Sequence, residues 1–148
     1  MTTHYHFVVR TTDDAQLADA MKRLNWLYAR TTNTRYGNKG HVFGARYGST
    51  LIETDAHLKD ACRYVALNPV RAGICLFPED WAWSSHGEAL GLRTPQPFFD
   101  PYDVLAIFDD RPDQARATYK RYVDTPRRSD YAAATATAGN TRRRNWPV

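Results

Sequence analysis

Residues 4–10 read HYHFVVR. The stretch is short, β-branched and aromatic, with no breaker, so it predicts a strand. Residues 42–53 (VFGARYGSTLIE) predict a second strand, weak at Gly44 and Gly48. Between them the spacing predicts a helix over 14–30, where Leu17, Ala20, Met21, Leu24, Leu27 and Tyr28 fall on one apolar face. The polar residues 11–14 would cap it, and residues 33–40, with Gly37, Asn38 and Gly40, read as a loop or tight turn.

Beyond residue 53 the pattern turns helical. Thr54 or Asp55 would cap a helix whose buried stripe is Leu58, Ala61, Cys62 and Val65. Pro69 is expected at or just beyond its end, because proline lacks an N–H and restricts the residue before it. Residues 71–73 read as a turn. Residues 78–91 are aromatic and irregular, with Trp81 and Trp83 expected to pack as anchors. Pro95, Pro97 and Pro101 suggest a surface linker over 93–101, and residues 102–108 and 112–123 read as two further helices.

A chain of 148 residues is long enough to bury a core without disulfide staples. Hydrophobic residues at 43% and charged residues at 24% exclude disorder of the whole chain. No run of about 18 apolar residues spans a membrane, and no basic region followed by an apolar stretch marks a secretory signal. Cys62 and Cys75 form neither a CxxC nor a zinc knuckle, so reduced thiols in a cytoplasmic protein are expected.

Charge is unevenly spread. Residues 126–148 hold five arginines (Arg127, Arg128, Arg142, Arg143 and Arg144) against Asp130 alone, a net +4 equal to that of the whole chain. The rest therefore nets to zero. Yet residues 20–52 carry Lys22, Arg23, Arg30, Arg35, Lys39 and Arg46 with no acid, interleaved with Trp26, Tyr28, Tyr36, Phe43 and Tyr47. Cations alternating with aromatics match phosphates and unstacked bases; a solvated helix face followed by a basic loop is the plainer alternative. The arginine-rich end, with no apolar periodicity, reads as a disordered basic tail.

Two local patterns could carry chemistry. On a strand, residues i and i+2 share a face, so His4 and His6 would stand side by side as a pair of metal ligands; two polar surface histidines is the plainer reading. On the helix over RYVALNPVRAG (residues 63–73), Tyr64 and Asn68 lie one turn apart on one face. A nearby base, cation or metal would help the phenol act as a nucleophile, and the Asn68 amide oxygen could serve a hard cation. Equally, Tyr64 could be a half-buried packing residue and Asn68 a helix-end residue.

Taken together, these segments resemble the HUH single-tyrosine transposases, and within them the REP-associated tyrosine transposases. The resemblance rests on five ordered segments: His4-Tyr5-His6 followed by Phe7-Val8-Val9; an amphipathic helix over 15–30; Gly40-His41-Val42-Phe43 followed by Arg46-Tyr47; Tyr64, three residues, then Asn68-Pro69-Val70-Arg71-Ala72-Gly73; and Trp83-Ser84-Ser85. Thr2 and Thr3 stand where the family has proline and asparagine, Gly44-Ala45 where glutamine-glycine is commoner, and Ala66 where histidine is frequent.

The resemblance implies an α+β fold, an antiparallel, ferredoxin-like sheet of the HUH nuclease type with helices on one face and incomplete at the N-terminus, and it implies cleavage and joining of single-stranded or hairpin DNA through a 5′-phosphotyrosine. By motif, Tyr64 would be the nucleophile, and His4, His6 and Asn68 would hold a divalent metal, magnesium or manganese. Arg30, Arg35, Lys39 and Arg46 would contact the DNA backbone, with Tyr47 or Tyr36 stacking on a base, an assignment made from charge and composition. Some members place tyrosine and histidines in trans, so a homodimer is compatible; a membrane partner is not expected. The expected organisation is a catalytic core over 1–91, a helical extension over 92–125 and the basic tail over 126–148. The family has a strand–helix–strand region before the His-x-His strand. A core truncated there is therefore the expectation, either because translation starts upstream or because the gene is a remnant. The alternative function is an inactive remnant that only binds structured DNA.

Overall fold

A computed structural model describes residues 4–126; the arginine-rich stretch from residue 127 onward, where the basic tail is expected, lies outside the described residues. The elements are α1 (Asp14–Tyr36), α2 (Asp55–Arg71), a 3₁₀ turn (Pro78–Asp80), α3 (His86–Ala89), α4 (Pro101–Leu105) and α5 (Pro112–Asp124). No strand occurs among the described residues. The expected antiparallel, ferredoxin-like sheet is thus overturned: the described chain is helical. Residues 4–10 and 42–53 carry no regular structure. Strand propensity describes fit to a pleated surface, and it is realised only when a neighbouring strand takes up the backbone donors and acceptors. Neither segment has such a neighbour, and Phe7, Val9 and Leu51 are left exposed.

The described residues divide into two compact units, residues 9–52 and residues 4–8 with 53–126. The first is built on α1. Asp13 caps it, its carboxylate accepting from the Ala15 N–H at 2.8 Å. The helix passes the expected end at Arg30 and runs to Tyr36, because Thr-Thr-Asn-Thr is a weak helix former but holds no breaker. Gly37 stops it at φ +66°, its N–H bonded to the Asn33 carbonyl. Asn33 Nδ2 donates to the Gly40 carbonyl at 2.9 Å, and Tyr28 packs on Phe43 with ring centroids 5.7 Å apart, so the following loop folds back on the helix. Of the expected apolar face only Met21 is buried; Leu24, Leu27 and Tyr28 are exposed.

The second unit holds the core: Ala66, Ala89, Leu105, Phe108, Ala115, Tyr119 and Val123. Thr54 caps α2, its hydroxyl accepting from the His57 N–H at 3.2 Å. Pro69 lies inside the last turn rather than at the end. The helix is ended by Gly73, whose φ of +68° allows the Ile74 N–H to reach the Pro69 carbonyl and the Gly73 N–H the Val70 carbonyl, each at 2.9 Å. That is a Schellman closure, and it satisfies carbonyls that the helix end would otherwise orphan. The expected stripe of α2 is only partly right: Cys62 is buried while Leu58, Ala61 and Val65 are half-buried, and Arg63, Ala66 and Asn68 are buried with it.

Arg63, 3% exposed, is the least expected member of the interior. Its Nε donates to the Tyr122 carbonyl at 3.1 Å and its Nη2 to the Thr125 carbonyl at 2.6 Å. A cation thus meets the negative end of α5 and closes its free carbonyls. Tyr122 Oη returns a bond to Asp60 Oδ1 at 2.6 Å, fastening α2 to α5 twice. The expected tryptophan anchors separate: Trp81 is half-buried, whereas Trp83 is 86% exposed. In the span expected to be irregular, Pro78–Asp80 forms a 3₁₀ turn and His86–Ala89 a short helix.

Candidate functional site

Without a sheet, the extended segment still alternates its side chains. Tyr5 and Phe7 stack with centroids 4.9 Å apart, while the His4 and His6 rings meet edge to face at 5.0 Å. The His6 ring also meets the Tyr64 ring of α2, at 5.1 Å and an interplanar angle of 78°. Residues 60 positions apart in sequence, His4 and Tyr64, are therefore linked through His6 within one compact unit. On Tyr64 a further contact falls: the Arg71 guanidinium carbon lies 5.4 Å from the ring centroid, a cation over an aromatic face. Tyr64 is 46% exposed, open enough for a macromolecular substrate. Asn68, one helical turn on, is 9% exposed.

Burial, and then the neighbouring His4, hold the His6 imidazole below its ordinary pKa of 6.5. A neutral imidazole is the form that ligates a metal. His6 Nε2 is itself buried and takes no hydrogen-bond partner among the described residues. An orphaned ring nitrogen, favoured neutral and set against a second imidazole, fits a metal-ligating role. Among the described residues no group of three His, Cys, Asp or Glu side chains is placed to hold a metal. A cation on the two imidazoles would therefore draw its remaining ligands from an amide such as Asn68, water or substrate oxygens.

The residues expected to contact DNA belong to the other unit. Arg30 and Arg35 lie on α1, each stacked on an aromatic ring: Arg30 over Trp26 at 5.2 Å and Arg35 over Tyr36 at 5.8 Å. Lys39 and Arg46 are exposed on the loop that follows, and Tyr47 is half-buried. Tyr36, 66% exposed, offers its ring more openly than Tyr47.

Another polar cluster escapes sequence reading. His86, 2% exposed, shares a 2.8 Å hydrogen bond with the hydroxyl of Tyr119, 3% exposed. Its other ring nitrogen lies 4.0 Å from Glu79, which is bonded by Lys120 at 3.1 Å. Burial holds the His86 pKa down at about 4, with Glu79 and Asp124 opposing and Lys120 and Arg93 assisting. Burial likewise pushes the Tyr119 phenol well up. Both rings are closed to solvent and pack on each other, and Tyr119 packs against Phe108, so the pair belongs to the core. Only the junction of α3 with α5 reveals it; nothing in the spacing of His86 and Tyr119 does.

No helix among the described residues is long and apolar enough to cross a membrane. Comparison with family models, with curated proteins and with solved structures finds no match to this chain.

Proposed function

We propose that this chain cleaves and rejoins single-stranded or hairpin DNA through a covalent phosphotyrosine at Tyr64, with magnesium or manganese held by His4, His6 and Asn68. The observation that carries the reading is the ring contact of His6 with both His4 and Tyr64, which sets two imidazoles beside an exposed phenol. Tyr64 Oη forms a bond to phosphorus as the P–O3′ bond breaks. The phenol proton passes to water, and the leaving 3′ oxygen takes a proton from water to become a hydroxyl. Attack by a new 3′-hydroxyl reverses the step and joins the strand, so the bond energy is conserved and no nucleotide is consumed. When bound, the cation would neutralise charge on the non-bridging phosphate oxygens. The Arg71 guanidinium brings further positive charge to the same ring. Arg30, Arg35, Lys39 and Arg46 supply backbone contacts on the other unit.

The test is a denaturing gel of the protein incubated with a hairpin oligonucleotide and magnesium or manganese. The expected result is a covalent adduct that disappears in Tyr64→Phe and in His6→Ala. An adduct that persists in Tyr64→Phe refutes the nucleophile. A second reading, a protein that binds structured DNA without cutting it, is favoured by one observation: among the described residues the segment carrying both imidazoles has no paired strand to hold it. Salt-sensitive binding with no adduct in either metal is its signature.

A further inference from the structure

Trp26 occupies an unusual place on α1. At about 100° per residue, it projects on the side roughly opposite the stripe of Leu17, Ala20, Met21, Leu24, Leu27 and Tyr28. A tryptophan that packed α1 against a neighbour would belong to that stripe. Trp26 lies on the polar side of the helix and is 56% exposed. Its neighbours there, at i−4, i−3 and i+4, are Lys22, Arg23 and Arg30, all exposed. Arg30 lies over the indole at 5.2 Å. Along the same face Asn33 follows, and Asp19, about two turns before Trp26, is its acid.

We propose that this face of α1 binds single-stranded DNA, with one unpaired base stacked on Trp26 and the flanking phosphates on Lys22, Arg23 and Arg30. An indole face ringed by three cations is complementary to a base between its phosphates in chemistry and in charge. A protein partner's apolar surface would be drawn to the opposite stripe. The choice of DNA rests on the function proposed above; the stacking platform rests on Trp26 and its neighbours alone. Trp26 thereby takes the base-stacking part first assigned to Tyr47 or Tyr36.

The experiment titrates the full chain, carrying Tyr64→Phe so that no adduct forms, with an unpaired thymidine oligonucleotide of roughly 12 nucleotides. Indole fluorescence and fluorescence anisotropy are followed, and helix content is checked by circular dichroism. The expected result is quenching that is absent in Trp26→Phe, with affinity roughly tenfold weaker in Trp26→Ala and less so in Trp26→Phe. Lys22→Gln, Arg23→Gln and Arg30→Gln should each lower the slope of log affinity against log salt by about 0.7. Unchanged quenching and affinity in both Trp26 variants overturn the proposal. So does tighter binding of the matching ribo-oligonucleotide, or an indole blue shift on phosphatidylserine vesicles with no response to DNA. Because the titration uses a chain that cannot form the adduct, the platform can stand while the cleavage reading falls, or the reverse.

Discussion

Acidification should unfold this protein partly through a single imidazole. His86 is 2% exposed, and its pKa is held at about 4 against an ordinary value of 6.5. In the unfolded chain the ring charges as pH falls through 6.5, while in the fold it stays neutral until about 4. Between those values the unfolded state binds more protons, so stability falls with falling pH and is fully present above 6.5. At about 1.4 kcal/mol per pH unit, the loss due to His86 reaches about 3 kcal/mol near pH 4, a large part of the roughly 5–15 kcal/mol that holds a domain together. The charged groups facing the ring are Glu79 from the 3₁₀ turn, Lys120 and Asp124 from α5, and Arg93; Glu79 and Asp124 work against the depression without cancelling it. The assay is urea denaturation followed by circular dichroism between about pH 7.5 and 4, in wild type and in His86→Gln, which removes the titration and keeps a polar side chain. The difference between the two curves should be flat above pH 6.5 and change by about 3 kcal/mol below it. Parallel curves across the whole range would show that the ring is neither desolvated nor neutral as described.

Two further outcomes concern the fastening and the closure of α2. Arg63→Met should lower stability by about 2–4 kcal/mol, read as a drop in the urea midpoint, since it strips both donors from the Tyr122 and Thr125 carbonyls while adding no new polar group; a drop no larger than a surface substitution gives would remove Arg63 from the α2–α5 fastening. Gly73→Ala should cost about 1–2 kcal/mol. An added Cβ there meets nothing within 4 Å, so the whole penalty lies in the φ of +68°; Gly73→Asn, which tolerates the left-handed region better, should be milder by thermal melting, and equal melting of both variants would contradict the Schellman closure.

The helices and their caps could be read from the residues because their interactions are local. Asp13 before α1, Thr54 before α2 and the glycines at 37 and 73 act within four or five positions of themselves. The departures from sequence expectation are local too: α1 runs past a threonine-rich segment, and Pro69 is absorbed into a last turn that Gly73 closes. Residues 4–10 were different. Their alternation and β-branching are real, but a strand is a relation between two segments, and no property of HYHFVVR supplies the second.

The candidate site divides the same way. Pairing of His4 with His6 and of Tyr64 with Asn68 follows from spacing alone. That His6 meets Tyr64 across 58 residues and that Arg63 and His86 are buried among carbonyls and a phenol follow from which segments the fold brings together, whereas Arg71 reaches the same ring from two turns along the same helix. Backbone hydrogen bonding within a helix is settled between neighbours in the chain, whereas burial, desolvation and the meeting of distant rings depend on which surfaces the chain brings together, and only the folded arrangement decides that.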